Sequence, residues 1–336
     1  MAPGTPRLEV RDLSVTVCGA GPAQQAVLRR VSLRLEAGEC VALVGESGCG
    51  KTTLALALLG LLPAGLAATA GAIGFEGEDV LCATPARRAA LRGSGLALML
   101  QEPATALDPM LDIGVQIDAM LRAHTDLDRG QRVEATRRLL DEVGLPADVS
   151  TAVAHRLSGG MRQRALIALV LAAQPRLLIA DEPTSAIDAV HRRQILELLR
   201  RVQRQRGMAL LLITHDLTLA ASHADRLVVL YAGEVVEEGP AEALLAGALH
   251  PYTRALFGAM DFDPRQPASF VARPLAGQPP RPGERADAGC AFLSRCQAAR
   301  EHHSSARCAV THPPLAATLH ADHRVRCLLH LRSAVK

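Results

Sequence analysis

Tryptophan is absent from this chain, tyrosine occurs twice and phenylalanine five times, so aromatic residues make up only 2% of 336. That shortage argues against a surface that holds single-stranded nucleic acid by stacking bases on aromatic rings. Lysine is nearly as scarce. Of 37 basic residues only Lys51 and Lys336 are lysines and the rest are arginines, which makes Lys51 an exception to explain. The net charge of +3 is too small to point to a nucleic-acid or anionic-membrane partner. The first residues, MAPGTPRLEV, have no basic segment leading into an apolar one, so no signal peptide is expected. The longest uncharged run, Thr52 to Phe75, is interrupted by Gly60, Pro63, Gly65, Gly71 and Gly74. A spanning helix needs about 20 apolar residues, so the run is expected to be a buried helix to about Leu62 followed by a turn-rich strand region. There are no internal repeats.

What is present is a core, with 49% apolar residues, and a repeated pattern. Residues 8–17 and 27–35 partly alternate apolar and polar side chains, as half-exposed strands do. Four short apolar runs, 40–44, 96–100, 176–180 and 209–213, are poor in charge and end in polar or glycine-rich turns, the pattern of buried parallel strands. Residues 226–231 and 234–237 read as a hairpin through Ala232-Gly233. Between the strands of 96–100 and 176–180, residues 102–156 read as a small helical insert. Ile113, Ile117, Met120, Leu121 and His124 fall at helical spacing, and Asp128 with Gln131 forms a capping box before a helix that ends at Gly144. After about residue 262 the chain turns rich in proline and glycine, as linkers and irregular appendages are.

Three motifs carry chemistry. GESGCGKT, Gly45 to Thr52, follows an expected strand and opens an expected helix, the context in which G-x-x-x-x-G-K-[ST] binds polyphosphate. Its backbone amides at Gly45, Glu46, Ser47, Gly48, Cys49 and Gly50 would cradle phosphates at the helix terminus, with Thr53 following. Lys51 reaches the β- and γ-phosphates and Thr52 offers a hydroxyl to Mg²⁺. Cys49 is read as a small filler rather than a nucleophile. RLLIADEP, residues 176–183, places Asp181 and Glu182 at the end of a buried strand. There Asp181 can hold Mg²⁺ through its water shell and Glu182 can polarise an attacking water. LSGGMRQRA sets Ser158, Gly159 and Gly160 at the start of the helix expected over 165–173, a second anion-binding terminus. Two phosphate sites for one nucleotide make sense if two copies face each other.

In this order the motifs resemble the ATP-binding subunits of ATP-binding-cassette (ABC) transporters, over roughly residues 7–262. The resemblance implies an α/β fold: a P-loop NTPase with a RecA-like core sheet, an antiparallel β subdomain, the helical insert and a cysteine-containing extension. It implies an ATPase domain over 1–262 and an extension over 263–336. Gln101 matches the loop that senses Mg²⁺ and the transmembrane partner, so the Mg²⁺ set is Thr52, Gln101 and Asp181. Ser185–Asp188 matches the loop that crosses the dimer, and His215 the histidine that contacts the γ-phosphate; Glu182, His215 and Gln101 form the catalytic group. Members of the family usually stack adenine on an aromatic residue near the end of the first strand. Here Val17 is the nearest candidate, and Arg156 stands where the nearest relatives tend to have Gln.

GESGCGKTTLALALLGLL, QEPATALDP, LYAGEVVEEGP and HPYTRAL are similar to the dipeptide, oligopeptide and nickel importer group. This implies two permease subunits, a second identical or homologous ATPase subunit, an indirect link to an extracytoplasmic solute-binding protein, no nucleic acid, and a place on the cytoplasmic face of the membrane. Import of nickel chelates or opines, or an accessory role in phosphonate degradation, are the alternatives. The group's cysteine pattern maps onto Cys290, Cys296, Cys308 and Cys327, which in some members are associated with a [4Fe–4S] cluster. The spacings of 5, 11 and 18 intervening residues do not suit the tight pairs of a zinc site, whereas iron–sulfur ligation tolerates variety. His303 falls where relatives usually have the third cysteine, so HHSSA reads as a short insertion. Four unligated thiols in a docking tail is the competing reading.

Overall fold

The computed structural model describes residues 5–19, 25–101, 103–185, 187, 189–258, 277–280, 288–318 and 322–330. Twelve strands occur among them: β1 Leu8–Val17, β2 Ala26–Leu35, β3 Cys40–Val44, β4 Leu66–Phe75, β5 Glu78–Asp79, β6 Leu96–Met99, β7 Leu177–Asp181, β8 Ala209–Thr214, β9 Arg226–Tyr231, β10 Glu234–Pro240, β11 Ala316–Ala317 and β12 Arg324–Val325. The helices are α1 Lys51–Leu58, α2 Pro85–Leu91, α3 Pro103–Ala106, α4 Ile113–His124, α5 Arg129–Glu142, α6 Gly159–Ala172, α7 Ala189–Arg206, α8 Leu217–His223, α9 Ala241–Gly247, α10 Pro251–Gly258, α11 Gln297–Glu301 and α12 Ser305–Val310. None of the described helices is long and apolar enough to cross a membrane.

Two sheets organise the chain. The first is antiparallel, in the order β2-β1-β4-β5. The second runs β11-β12-β10-β9-β3-β8-β7-β6, and its middle, β9-β3-β8-β7-β6, is parallel. The parallel strands are apolar on both faces because both faces are covered. In β3, Cys40, Ala42 and Val44 pack into a core with α4 to α8, while Val41 and Leu43 pack into a second core with α1 and the antiparallel sheet. The same alternation divides β7: Leu178 and Ala180 go to the first core, Leu177 and Ile179 to the second. Each fully buried Leu or Ile side chain contributes about 1.5–3 kcal/mol of transfer free energy, so a one-residue slip of these strands would exchange whole cores.

In the helical insert, α5 carries the expected capping box, with Asp128 accepting from the Gln131 amide at 2.9 Å and Gln131 Oε1 accepting from the Asp128 amide at 2.9 Å. Helix α1 stops at Leu58 rather than near Leu62, because Gly60 takes φ +63 just beyond its cap and closes it. Helix α6 begins at Gly159, earlier than the expected 165, because Ser158 caps it by accepting from the Met161 amide at 3.3 Å.

Strand β10 runs to Pro240, past the expected 237, because its pairing with β9 continues to Pro240 opposite Arg226, and the C-terminal segment adds a second neighbour. β12 pairs antiparallel with β10 (Glu237 opposite Val325, Glu238 opposite Arg324), so part of the extension joins the main sheet. The three β10 glutamates each meet a C-terminal partner. His312 Nε2 lies 3.0 Å from Glu234, His323 Nε2 2.8 Å from Glu237, and Arg324 Nη1 2.7 Å from Glu238. Glu237 is fully buried. Burial raises its pKa, but hydrogen bonds from His323 and the Leu249 and His250 amides oppose that, and it is held below the usual carboxylate range. The expected domain boundary at 262 lies outside the described residues.

The hairpin between β9 and β10 turns through Ala232 (φ +46) and Gly233 (φ +80), the paired left-handed conformation of a type I′ turn. Gly233 also touches the nucleotide-side loop: its amide donates to the Cys49 carbonyl at 3.0 Å and its carbonyl accepts from the Arg29 amide at 2.8 Å. A Cβ at Gly233 would lie 2.3 Å from the Val27 carbonyl oxygen. Gly233→Ala is therefore expected to lower stability by about 1–3 kcal/mol, read as a fall in the urea midpoint at unchanged m-value.

Candidate functional site

The parallel register brings the carboxyl ends of the central strands to one edge, where open α/β sheets bind ligands. Val44 lies opposite Thr214, and Asp181 opposite Ile213. The residues just past these pairs are Gly45, Glu182 and His215. Together they line a cleft of about 600 Å³ with Lys51, Thr52 and Asp181 from the adjoining segments, and Gln101, two residues beyond β6, reaches it as well.

Within the cleft the polar atoms are closely coupled. Lys51 is buried, and its Nζ donates to the carbonyls of Gly45 at 2.7 Å and Glu46 at 3.1 Å. Thr52 Oγ1 donates to Asp181 Oδ2 at 2.8 Å, while Asp181 Oδ1 is buried with no hydrogen-bond partner. Burial pushes the Asp181 carboxyl up, and the Thr52 hydroxyl opposes this. A buried carboxylate oxygen without a donor calls for a cation or a bound water. The Asp181–Thr52 pair with Gln101 in the same cleft therefore has the hard oxygen donors that suit Mg²⁺.

Glu182 is held in the left-handed region at φ +50, its amide bonded to the Ile213 carbonyl at 2.8 Å. That turn sends its side chain away from Asp181 and onto His215, whose Nδ1 donates to Glu182 Oε1 at 2.8 Å. The hydrogen bond to Glu182 raises the His215 pKa above 6.5 despite partial burial. Ser185 Oγ donates to the Gln101 carbonyl at 3.4 Å and the Glu182 carbonyl at 3.1 Å, tying the two loops together. Asp188, expected in the dimer-crossing loop, lies outside the described residues.

Not every sequence candidate meets here. Gly48, Gly50, Ser47 and Thr53 line the cleft, but Cys49 does not; its thiol is buried and burial raises its pKa. Ser158, Gly159 and Gly160 start α6 and do not line the cleft of their own chain. Val17 does not line it either. The apolar lining comes from Val27 on β2 and Leu256 on α10. Neither carried a sequence signal, because each is an isolated aliphatic residue far from the motifs in the chain.

In the C-terminal segment, Cys296, Cys308 and Cys327 are buried and Cys290 partly so. The Cys290 amide donates to the Cys308 carbonyl at 2.8 Å. Burial, together with the nearby Cys290, Cys296 and Cys308, pushes the Cys327 thiol up to about 11. Cys327 thus lies in the same region of the segment as the other three cysteines. Among the described residues no group of three or more His, Cys, Asp or Glu is placed to hold a metal ion. The expected iron–sulfur ligand set is therefore not assembled among the described residues, and Cys296 and Cys308 pack as core side chains.

A phosphate loop, a strand-end Asp-Glu pair and a strand-end histidine on a parallel sheet define a P-loop ATPase of the cassette type. Solved cassettes share the fold. The cbiO1 protein of Clostridium perfringens superposes with a TM-score of 0.64 at 24% identity, covering 72% of this chain and 92% of that one. The dimeric cassette MJ0796 bound to ADP and Pi gives 0.61 at 24%, covering 70% and 98%. The sequence profile described as ABC transporter matches residues 28–185, and that of the oligopeptide/dipeptide transporter C-terminal region matches residues 236–302. The chain is 38% identical to the dipeptide transport ATP-binding protein DppD of Escherichia coli over 92% of both chains. It is 42% identical to the oligopeptide transport ATP-binding protein OppD of Lactococcus lactis over 74% of both. The chain belongs to the ABC transporter family, to its ATP-binding proteins with the oligopeptide/dipeptide-type C-terminal region. It is an ATPase that works with ATP and Mg²⁺.

The raised His215 pKa sets a pH dependence. A histidine raised in the folded state adds stability below its unfolded value of 6.5, and that contribution is lost as pH rises through the folded value. Glu182→Gln removes the carboxylate that raises it. The variant is expected to lose part of the fall in Tm that the wild type shows as pH rises from 6.5, checked by scanning calorimetry across that range.

Proposed function

We propose that this protein is the ATP-hydrolysing subunit of an importer of dipeptides or oligopeptides, acting at the cytoplasmic face of the membrane. The convergence of Lys51, Thr52, Gln101, Asp181, Glu182 and His215 in one cleft carries the ATPase half of this reading. The match to DppD along 92% of the chain supports the transport half.

In this reading the loop amides and Lys51 hold the phosphates. Thr52, Gln101 and Asp181 would hold Mg²⁺, which would supply charge neutralisation at the phosphates. Glu182 orients and polarises the attacking water, and His215 moves from Glu182 to the γ-phosphate. Little covalent chemistry falls to the protein; positioning and electrostatics supply the acceleration. The Ser158–Gly160 helix terminus of a second subunit completes each cleft, which accords with its absence from the cleft of its own chain. Closing and opening of the pair drives two permease subunits, and a separate solute-binding protein delivers the peptide. Leu100, beside Gln101 in the chain, and Met110, Leu111 and Val115, in the segment that follows, are exposed apolar residues, suited to docking on a membrane subunit.

Glu182→Gln is expected to bind ATP within a few-fold of wild type while turnover falls by about 10²–10⁴. Equilibrium nucleotide binding and phosphate release on the same preparation check this, and unchanged turnover would remove Glu182 from the role. From the cysteine pattern of the sequence alone, we further propose that Cys290, Cys296, Cys308 and Cys327 hold a [4Fe–4S] cluster. Anaerobically purified protein is expected to carry about four irons per chain and to absorb broadly near about 400 nm. Iron-free protein would leave four packed thiols.

A further inference from the structure

The extension reaches the phosphate loop itself. Arg295 grips the Glu46 carboxylate with both prongs of its guanidinium, Nη1 to Oε2 at 2.6 Å and Nη2 to Oε1 at 2.9 Å, across 249 positions of sequence. Its side chain is only 3% exposed, against 25% for Glu46. Arg295 also stands 3.4 Å from the Tyr231 hydroxyl and over the Tyr231 and Phe292 rings, at 5.8 and 5.9 Å from their centroids. The Glu46 amide donates to the Tyr252 hydroxyl at 2.9 Å. Tyr231, Tyr252 and Phe292 touch one another with centroids 4.5–5.5 Å apart. Both tyrosines of this aromatic-poor chain are thus spent supporting one residue of the phosphate loop.

The source of Arg295 is as specific as its target. It ends a short 3₁₀ turn, Leu293–Arg295, set between Cys290 and Cys296. The Leu293 amide donates to the Cys290 carbonyl at 3.1 Å and the Cys296 amide to the Leu293 carbonyl at 3.1 Å. The cysteine module therefore fixes the backbone that presents the guanidinium.

Glu46 sets a carboxylate beside the place where a polyphosphate would lie. Left uncompensated in a partly buried setting, that charge would repel the ligand; a buried bidentate guanidinium cancels it at short range. We propose that Arg295 is a positioning residue for the ATP site, supplied by the C-terminal extension, which neutralises Glu46 and fixes its segment of the phosphate loop. The inference rests on Gly45–Thr52 being the ATP phosphate loop. It makes nucleotide affinity depend on the docked extension, in a part of the chain that contributes no reacting group.

The test uses full-length protein and ATP, with equilibrium binding and steady-state hydrolysis measured together. Arg295→Met is expected to weaken ATP binding about tenfold, the size of effect that follows from unpairing a buried charge. KM should rise in step while kcat at saturating ATP stays within about twofold. Adding Glu46→Gln to Arg295→Met is expected to recover most of the affinity, because the uncompensated charge is then gone; a purely structural role for Arg295 predicts no such recovery. ATP affinity within about twofold of wild type in Arg295→Met, or a loss that Glu46→Gln does not relieve, overturns the proposal. Should Arg295→Met fold poorly, Arg295→Lys carries the test. Lysine keeps the charge but loses the second prong, so affinity about threefold weaker supports the proposal and wild-type affinity overturns it. Lys51→Ala separates the two readings. If it abolishes ATP binding while the Arg295 variants bind normally, only the Arg295 inference falls; if Lys51→Ala binds ATP like wild type, the loop reading falls and takes the inference with it.

Discussion

The register of the parallel strands is the constraint on which the site depends. With Val44 set beside Thr214 and Ile213 beside Asp181, the phosphate loop, the Asp-Glu pair and the histidine leave the sheet at one level. Those pairings are enforced from both faces, since alternate residues of β3 and β7 belong to different cores and a slip would cost both. The hydrogen bonds from Thr52 to Asp181 and from His215 to Glu182 are short consequences of that register and add local precision to it.

Around this frame the charged groups are arranged by burial. Lys51 is enclosed by loop carbonyls, Asp181 keeps one buried oxygen without a donor, and Glu182 is turned by a left-handed backbone onto His215. Two neighbouring carboxylates thereby face different partners, one a hydroxyl and an open coordination position, the other an imidazole. In the proposed mechanism that separation lets Asp181 serve a metal and Glu182 a water, roles that two solvated acids side by side would not divide.

The C-terminal segment is bound to the ATPase sheet by matched charges and backbone pairing as well as by apolar packing, since Phe292, Ala299 and Leu328 belong to the first core. β12 extends the sheet, and Glu234, Glu237 and Glu238 each find a basic partner there. Those partners and the glutamates are separated by more than 70 positions in sequence, so no periodicity announces them. The same is true of Arg295 and Glu46. A run such as LYAGEVVEEGP shows that acids are present, but whether they are solvated or buried and paired depends on what folds back over them.

By itself the sequence determined the strand and helix pattern, the hairpin at Ala232-Gly233, the capped helix at Asp128 and the three motifs. Each of these is local: periodicity, turn stereochemistry and phosphate-loop geometry are settled within a few residues. Helix ends were legible only to within a few residues, because a glycine at 60 or a serine cap at 158 competes with the apolar pattern around it. Tertiary structure alone decided that Val27 and Leu256, rather than Val17, line the cleft, that Cys49 stays out of it, and that the Ser158 terminus does not reach the cleft of its own chain. It also decided that Arg295 closes on Glu46. These are contacts between segments far apart in the chain, and their energies arise from burial and pairing that exist only once the sheet has assembled.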